Sequence, residues 1–158
     1  MKTLFQYNWQ VRDNWFSWCD TVSEEELLKK RIGGVGGILE TLFHIVIVEH
    51  SWICDLTGKP VLKDTFAQQA SLERVISLSQ RLHPTVSNFV LNWTDTKERD
   101  SFTERNPRTG QEETFRYGEA LRHVIAHEIH HMGQLSVWAR EIGKGPVTAN
   151  LIRRGLFE

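Results

Sequence analysis

The chain has 158 residues, the ordinary size of one globular domain, and we expect residues 1–158 to form a single helical domain. Its 19 basic and 20 acidic residues give a formal net charge of −1, so nothing indicates the broad basic surface that binds nucleic acid or anionic lipid. The longest apolar run, over residues 45–48, is far shorter than the roughly 20 apolar residues of a membrane span.

The N-terminal part of the chain predicts one long helix and one short one. Aromatic residues recur at three- and four-residue steps from residue 4 to about residue 19, which is typical of an amphipathic helix. Ser23 and Glu26 have the spacing of a capping box, which predicts the start of a short helix that reaches residue 28. That helix should end before a run of chain-breaking residues, the glycines at 33, 34, 36 and 37.

The middle of the chain predicts two further long helices. Residues 38–57 are apolar almost all round and stop at Gly58, so this helix should lie at the centre of the fold. Residues 71–93 keep a helical apolar pattern on both sides of Pro84. This pattern fits either one kinked helix or two abutting helices with Pro84 in the first turn of the second.

The C-terminal part predicts a turn and a last long helix. Residues 97–116 are more polar, and the turn sequence over residues 106–110 indicates a small hairpin or an ordered loop. The last helix should run from about residue 118 to residue 142 and end at Gly143. We therefore predict an all-α fold, an up-down four-helix bundle with a short extra helix and a possible hairpin or loop before the last helix.

Both cysteines are predicted to be reduced. Cys19 and Cys54 have neither a disulfide-like nor a CxxC spacing, which is typical of thiols in a reducing compartment. The N-terminus passes directly into a polar and aromatic segment without the pattern of a signal peptide. We expect a cytoplasmic protein with no membrane and no nucleic-acid partner.

Six of the seven histidines lie in two of the predicted helices. His127 and His131 lie four residues apart in the core-facing stripe of the last helix, an arrangement that recurs in metal sites. His44 interrupts the apolar helix over residues 38–57 and is the best third donor, because bundles build metal sites from inward-facing side chains. We predict one divalent metal ion bound by His44, His127 and His131.

Other roles are expected for the remaining histidines. His50 lies about 120° around the helix from His44, so one helix cannot aim both at the same ion. His123 and His130 lie at the edge of the stripe, which favours surface or supporting roles. His83 is expected to be an ordinary surface residue. For His44 taken alone, a hydrogen-bonded core histidine is an open alternative.

The string over residues 127–131 also satisfies H-E-x-x-H, the zinc-protease pattern in which the glutamate activates water. Gln134 stands where a metzincin has glycine, and no histidine follows His131. A glutamate ligand would have to be Glu141 or Glu158. Because no sheet is evident that could hold a peptide by strand addition, we rank a protease well below a metal-binding bundle.

Three stretches, in order along most of the chain, resemble the DinB/YfiT-like family of bacterial metal-binding four-helix bundles: Tyr7-Asn8-Trp9, Thr41-Leu42-Phe43-His44 leading to Trp52, and His127 to Leu135. The resemblance implies a histidine triad, which here matches His44, His127 and His131, and it implies a homodimer. It also implies that some relatives are transferases using bacillithiol or mycothiol, while many have no established activity. Met132 departs from the arginine usual in the family before the final Gly-Gln.

Three functions are compatible with such a site, since three imidazoles leave at least one coordination position open. The first is a thiol S-transferase, in which the metal activates a small thiol against a small electrophile. Glu128 would then be a supporting or dimer-facing residue, or simply solvated.

The second compatible function is a hydrolase using metal-bound hydroxide, with Glu128 or a free histidine as proton acceptor. The third is a non-enzymatic bundle stabilised by its metal. Zinc or nickel is favoured, and iron or copper also fits.

Overall fold

A computed structural model describes residues 1–106 and 108–157 of the chain. These residues are mostly helical, with one small antiparallel sheet. The elements in chain order are α1 (Lys2–Cys19), α2 (Glu24–Leu28), α3 (Ile38–Thr57), α4 (Leu72–Leu91), β1 (Ser101–Arg105), β2 (Glu112–Arg116) and α5 (Tyr117–Glu141).

The helix predictions are confirmed to within one or two residues at most ends. The side chain of Ser23 accepts a hydrogen bond from the backbone N–H of Glu26 and so caps α2. Pro84 lies inside the single helix α4, so the alternative of two abutting helices is wrong. A proline can be accommodated there although it removes one backbone hydrogen bond of the helix.

The predicted hairpin is present between α4 and α5. β1 pairs with β2 so that Phe102 lies opposite Phe115. The side-chain oxygen of Asn106 accepts hydrogen bonds from the backbone N–H groups of Arg108 and Thr109, which closes the turn, while Pro107 lies outside the described residues. The hairpin packs against α3 and α5 and so adds a wall beside these two helices.

The four long helices pack so that α1 and α3 each contact both α4 and α5. Their buried apolar residues form two clusters, one near the end of the fold that holds Trp15, Leu42 and Leu78, and one near the end that holds Phe5 and Ile53. α1 and α5 run from the second cluster towards the first, whereas α3 and α4 both run from the first to the second.

The helices therefore run up, down, down and up, which corrects the alternating up-down order that we predicted. Helices α3 and α4 are parallel neighbours, and parallel neighbours need a long connection. A 20-residue helix such as α3 is about 30 Å long, and residues 58–71 can span up to about 46 Å when extended. This segment is thus long enough to return the chain to the end where α3 began.

Buried polar side chains separate the two apolar clusters. Glu49 from α3 and Glu128 from α5 lie between them along their helices, and both pair with the buried Arg12 from α1. Among the described residues, no helix combines the length and the apolar character that crossing a membrane would require.

Candidate metal centre

The three predicted ligands lie together on the seam between α3 and α5. The Nε2 atom of His127 lies 3.0 Å from Nε2 of His44 and 3.1 Å from Nε2 of His131. Each histidine offers a ring nitrogen within 4.8 Å of those of the other two. His127 and His131 meet because they are one helical turn apart, and His44 meets them because α3 packs directly on α5.

The donor set fits a divalent metal ion. Imidazole nitrogens bound at about 2.1 Å to one ion lie about 3.0 Å apart at a right angle and about 3.4 Å apart at a tetrahedral angle. The two separations, 3.0 and 3.1 Å, fall within this range. Direct hydrogen bonds fit less well, because a ring nitrogen carries either one hydrogen or one lone pair, and Nε2 of His127 would have to serve two neighbours.

The environment keeps these imidazoles neutral, which is the form that binds metal. Burial, and to a smaller extent the neighbouring His131, lowers the pKa of His44 to about 4. Burial followed by His131 and His44 lowers the pKa of His127 to about 3. His131 is 5% exposed, whereas His44 and His127 are half-buried and therefore keep one side of the site open to solvent.

Gln134 orients His131 from the next turn of α5. Its side-chain oxygen lies 2.7 Å from Nδ1 of His131, and its amide nitrogen lies 3.1 Å from Nε2 of His130. Because an amide oxygen only accepts, Nδ1 of His131 carries the proton and Nε2 presents its lone pair to the other histidines. Gln134 was not predicted from the sequence, although its spacing of three residues from His131 was a usable signal.

The glycine-rich loop before α3 supports this glutamine. Gly34 has a φ of +84°, and a Cβ atom there would lie 2.8 Å from the side-chain oxygen of Gln134 and 2.9 Å from the ring of Trp138. The backbone oxygen of Ile32 also accepts a hydrogen bond from the indole N–H of Trp138. The loop can lie this close to α5 only because residue 34 has no side chain.

The family of the chain follows from comparison with known proteins. The model of the DinB family matches residues 1–155, almost the whole chain. The chain belongs to the DinB family. It is also similar to a Bacillus subtilis (strain 168) protein named "Uncharacterized protein YizA", with 46% identity over 156 residues that cover 99% of this chain and 96% of that protein.

Glu128 does not face the metal centre of this DinB-family protein. It is 1% exposed, and its two carboxylate oxygens accept hydrogen bonds of 2.8 and 2.7 Å from Nε and Nη2 of Arg12. Arg12 also donates through Nη1 to Glu49 at 2.8 Å, and the other oxygen of Glu49 accepts from the indole of Trp9. Burial raises the pKa of Glu128, and the charge of Arg12 opposes this rise.

This network corrects two of our interpretations of Glu128. The interpretation of Glu128 as a solvated helix residue is wrong, because its side chain is buried. The interpretation of Glu128 as the proton acceptor of an H-E-x-x-H protease or of a hydrolase is also wrong. Both of its carboxylate oxygens accept hydrogen bonds from Arg12 on the inner side of α5. Arg12 and Glu49 were missed, although each interrupts an apolar helical face and could have been noticed for that reason.

The four other histidines of this chain lie outside the triad, as expected. His50 contacts the sulfur of Cys54 within its own helix. His123 and His130 are exposed, and each ring packs beside one triad member, at 6.1 Å from His127 and 5.1 Å from His131 between ring centroids. His83 is not ordinary surface, because it is half-buried and packs edge-on against Trp9 at 4.6 Å.

Met132 and Glu141 are not part of the triad. Met132 is 3% exposed and packs in the apolar core. Glu141 lies at the end of α5 and pairs with Arg31 at 3.5 Å. Glu158 lies outside the described residues.

Proposed function

We propose that this DinB-family protein binds one divalent metal ion through His44, His127 and His131, and that it transfers a small thiol of the bacillithiol or mycothiol type to a small electrophile. The observation that supports the proposal most is the convergence of three neutral imidazoles whose outer side is open to solvent. Zinc or nickel is the favoured ion, and iron or copper also accepts imidazole ligands.

The residues of the chain have distinct tasks in this reaction. His44, His127 and His131 bind the ion, and Gln134 fixes the proton of His131 on Nδ1. A divalent ion in this position supplies a positive charge that lowers the pKa of a bound thiol. The half-buried rims of His44 and His127 leave room for the thiol to enter from the solvent side.

The overall reaction is a substitution without oxidation or reduction. The thiol proton leaves to solvent, the sulfur forms a bond to the electrophilic carbon, and the leaving group departs with the electron pair of the broken bond. Glu128 takes no part as a base because Arg12 holds both of its oxygens.

The proposal is tested by loading tag-free protein with zinc or nickel and supplying bacillithiol together with monochlorobimane. We expect a fluorescent conjugate whose formation requires the metal and is lost in His44→Ala and His131→Ala. His83→Ala is the matched control, since this histidine lies on the seam between α1 and α4, and its variant should retain full activity. Equal rates in His131→Ala and the unaltered protein would refute the proposal.

Two alternative functions are tested on the same metal-loaded protein with ester substrates in ¹⁸O-labelled water and with a melting measurement. If esters are cleaved and ¹⁸O from labelled water enters the product while no thiol conjugate forms, the protein is a hydrolase. If neither reaction occurs and chelation still lowers the melting temperature, the metal only stabilises the fold.

The helix bundle, the oligomeric state and the cellular compartment are also part of the proposal. We propose that the four long helices form one four-helix bundle and that two copies form a homodimer. α5 exposes Ile129 (43%) and Val137 (54%) on its outer side, which is apolar surface suited to a second copy. The two cysteines are free and buried, which agrees with a reducing cytoplasm.

A further inference from the structure

A second feature lies beside the metal centre, between the hairpin and the helices α3 and α5. It is an open cavity of about 630 Å³. Trp52 and Phe115 form an aromatic wall, with ring centroids 5.9 Å apart in an edge-to-face arrangement. His123 also lines the cavity, 5.3 Å from Trp52 and 6.1 Å from the metal-site residue His127 between ring centroids. A ligand in the cavity would therefore lie one helical turn from the triad.

The polar lining of this cavity is mostly acidic. Glu104, Glu113 and Glu119 supply three carboxylates, against the single guanidinium of Arg108. Glu104 and Glu113 lie directly opposite each other on the two strands, both half-buried and on the inner face of the hairpin. Like charges in opposed positions of a strand pair destabilise it, so this arrangement has a cost to the fold.

The acidic groups are only partly compensated within the chain. One oxygen of Glu113 accepts a hydrogen bond of 2.7 Å from the side-chain amide of Asn106. The carboxylate of Glu104, which lies opposite Glu113 in the strand pair, has no hydrogen-bond or ion-pair partner within residues 1–106 and 108–157. Burial raises the pKa of Glu104, and the charges of Asp55 and Glu113 raise it further. A cation bound next to Glu104 would offset both the desolvation of its carboxylate and the repulsion from Asp55 and Glu113.

We propose that this cavity binds a small protonated amine carried on an aromatic or apolar body, as the part of the electrophilic substrate that is held during transfer. The ammonium group would lie against Glu104, and the apolar body would lie on Trp52 and Phe115, where a cation also gains from the aromatic faces. As a substrate subsite this rests on the proposed function, whereas amine binding itself does not require the metal.

The test compares three probes of similar size and different charge: 2-phenylethylamine, 2-phenylethanol and 3-phenylpropionate. Binding is measured by ligand-observed NMR and calorimetry with metal-free and metal-loaded protein. We expect the amine to bind most tightly, the alcohol more weakly and the carboxylate not at all. Glu104→Gln should weaken amine binding about tenfold, because it removes a charged hydrogen-bond acceptor. Glu112→Gln is the matched control, since Glu112 is exposed on the other strand of the same hairpin, and it should leave binding unchanged.

The outcomes separate this proposal from the proposed function. Equal binding of all three probes, no binding of the amine, or an unchanged affinity in Glu104→Gln would each overturn the amine subsite, even if thiol transfer is observed. Amine binding that persists in His131→Ala, in protein that has lost its metal and its transfer activity, supports the subsite independently of the reaction.

Discussion

Replacing Arg12 with methionine should lower the free energy of unfolding by about 3 to 5 kcal/mol, the range for removing one partner of a buried ion pair. The guanidinium donates three hydrogen bonds of 2.7 to 2.8 Å, two to Glu128 and one to Glu49. The two acceptors are 1% and 3% exposed and would be left buried without a cation. Methionine fills much of the volume of the arginine side chain, so the lost stability reflects the two unpaired carboxylates rather than a cavity.

The assay is urea unfolding of metal-free protein, followed by circular dichroism. Arg81→Met is the control, because Arg81 pairs with Asp64 at 3.2 Å on the exposed surface and its loss should cost less than about 1 kcal/mol. The triple substitution of Arg12→Met with Glu49→Gln and Glu128→Gln should recover much of the stability. A loss below about 1 kcal/mol in Arg12→Met would refute the view that this network ties α1 to α3 and α5.

Three further predictions concern the support of the metal centre. Gln134→Leu should weaken zinc binding about 10- to 100-fold in competition with a chelating dye, because the proton of His131 is no longer fixed on Nδ1; unchanged affinity would contradict the role of this glutamine. Gly34→Ala should also weaken zinc binding and lower the melting temperature, since its Cβ would push Gln134 and Trp138 away, whereas Gly133→Ala, with open space around it, should not. Chelation should lower the melting temperature of the unaltered protein but not of His131→Ala.

The triad could be predicted from the sequence because each ligand has a signal within its own helix. His127 and His131 lie on one helix, so helix geometry alone determines their relative position. His44 could be chosen because it is a polar interruption of an apolar helix. The comparison of helical faces also indicated correctly that His50 points elsewhere.

The role of Glu128 and the direction of α4 depend on contacts between distant parts of the chain, and the spacing of residues within one helix does not indicate such contacts. Glu128 was misinterpreted because its partner Arg12 lies 116 residues away along the chain. The direction of α4 was misjudged for a related reason, since an amphipathic pattern is the same whichever way a helix runs. Only the length of the connection over residues 58–71 could have indicated the parallel arrangement.

The most direct test of the metal centre is a crystal structure of tag-free protein with anomalous scattering recorded at the metal absorption edges. We expect one anomalous peak within bonding distance of Nε2 of His44, His127 and His131. A structure of metal-loaded protein without a peak at these three nitrogens, or with its peak at other residues, would contradict the account.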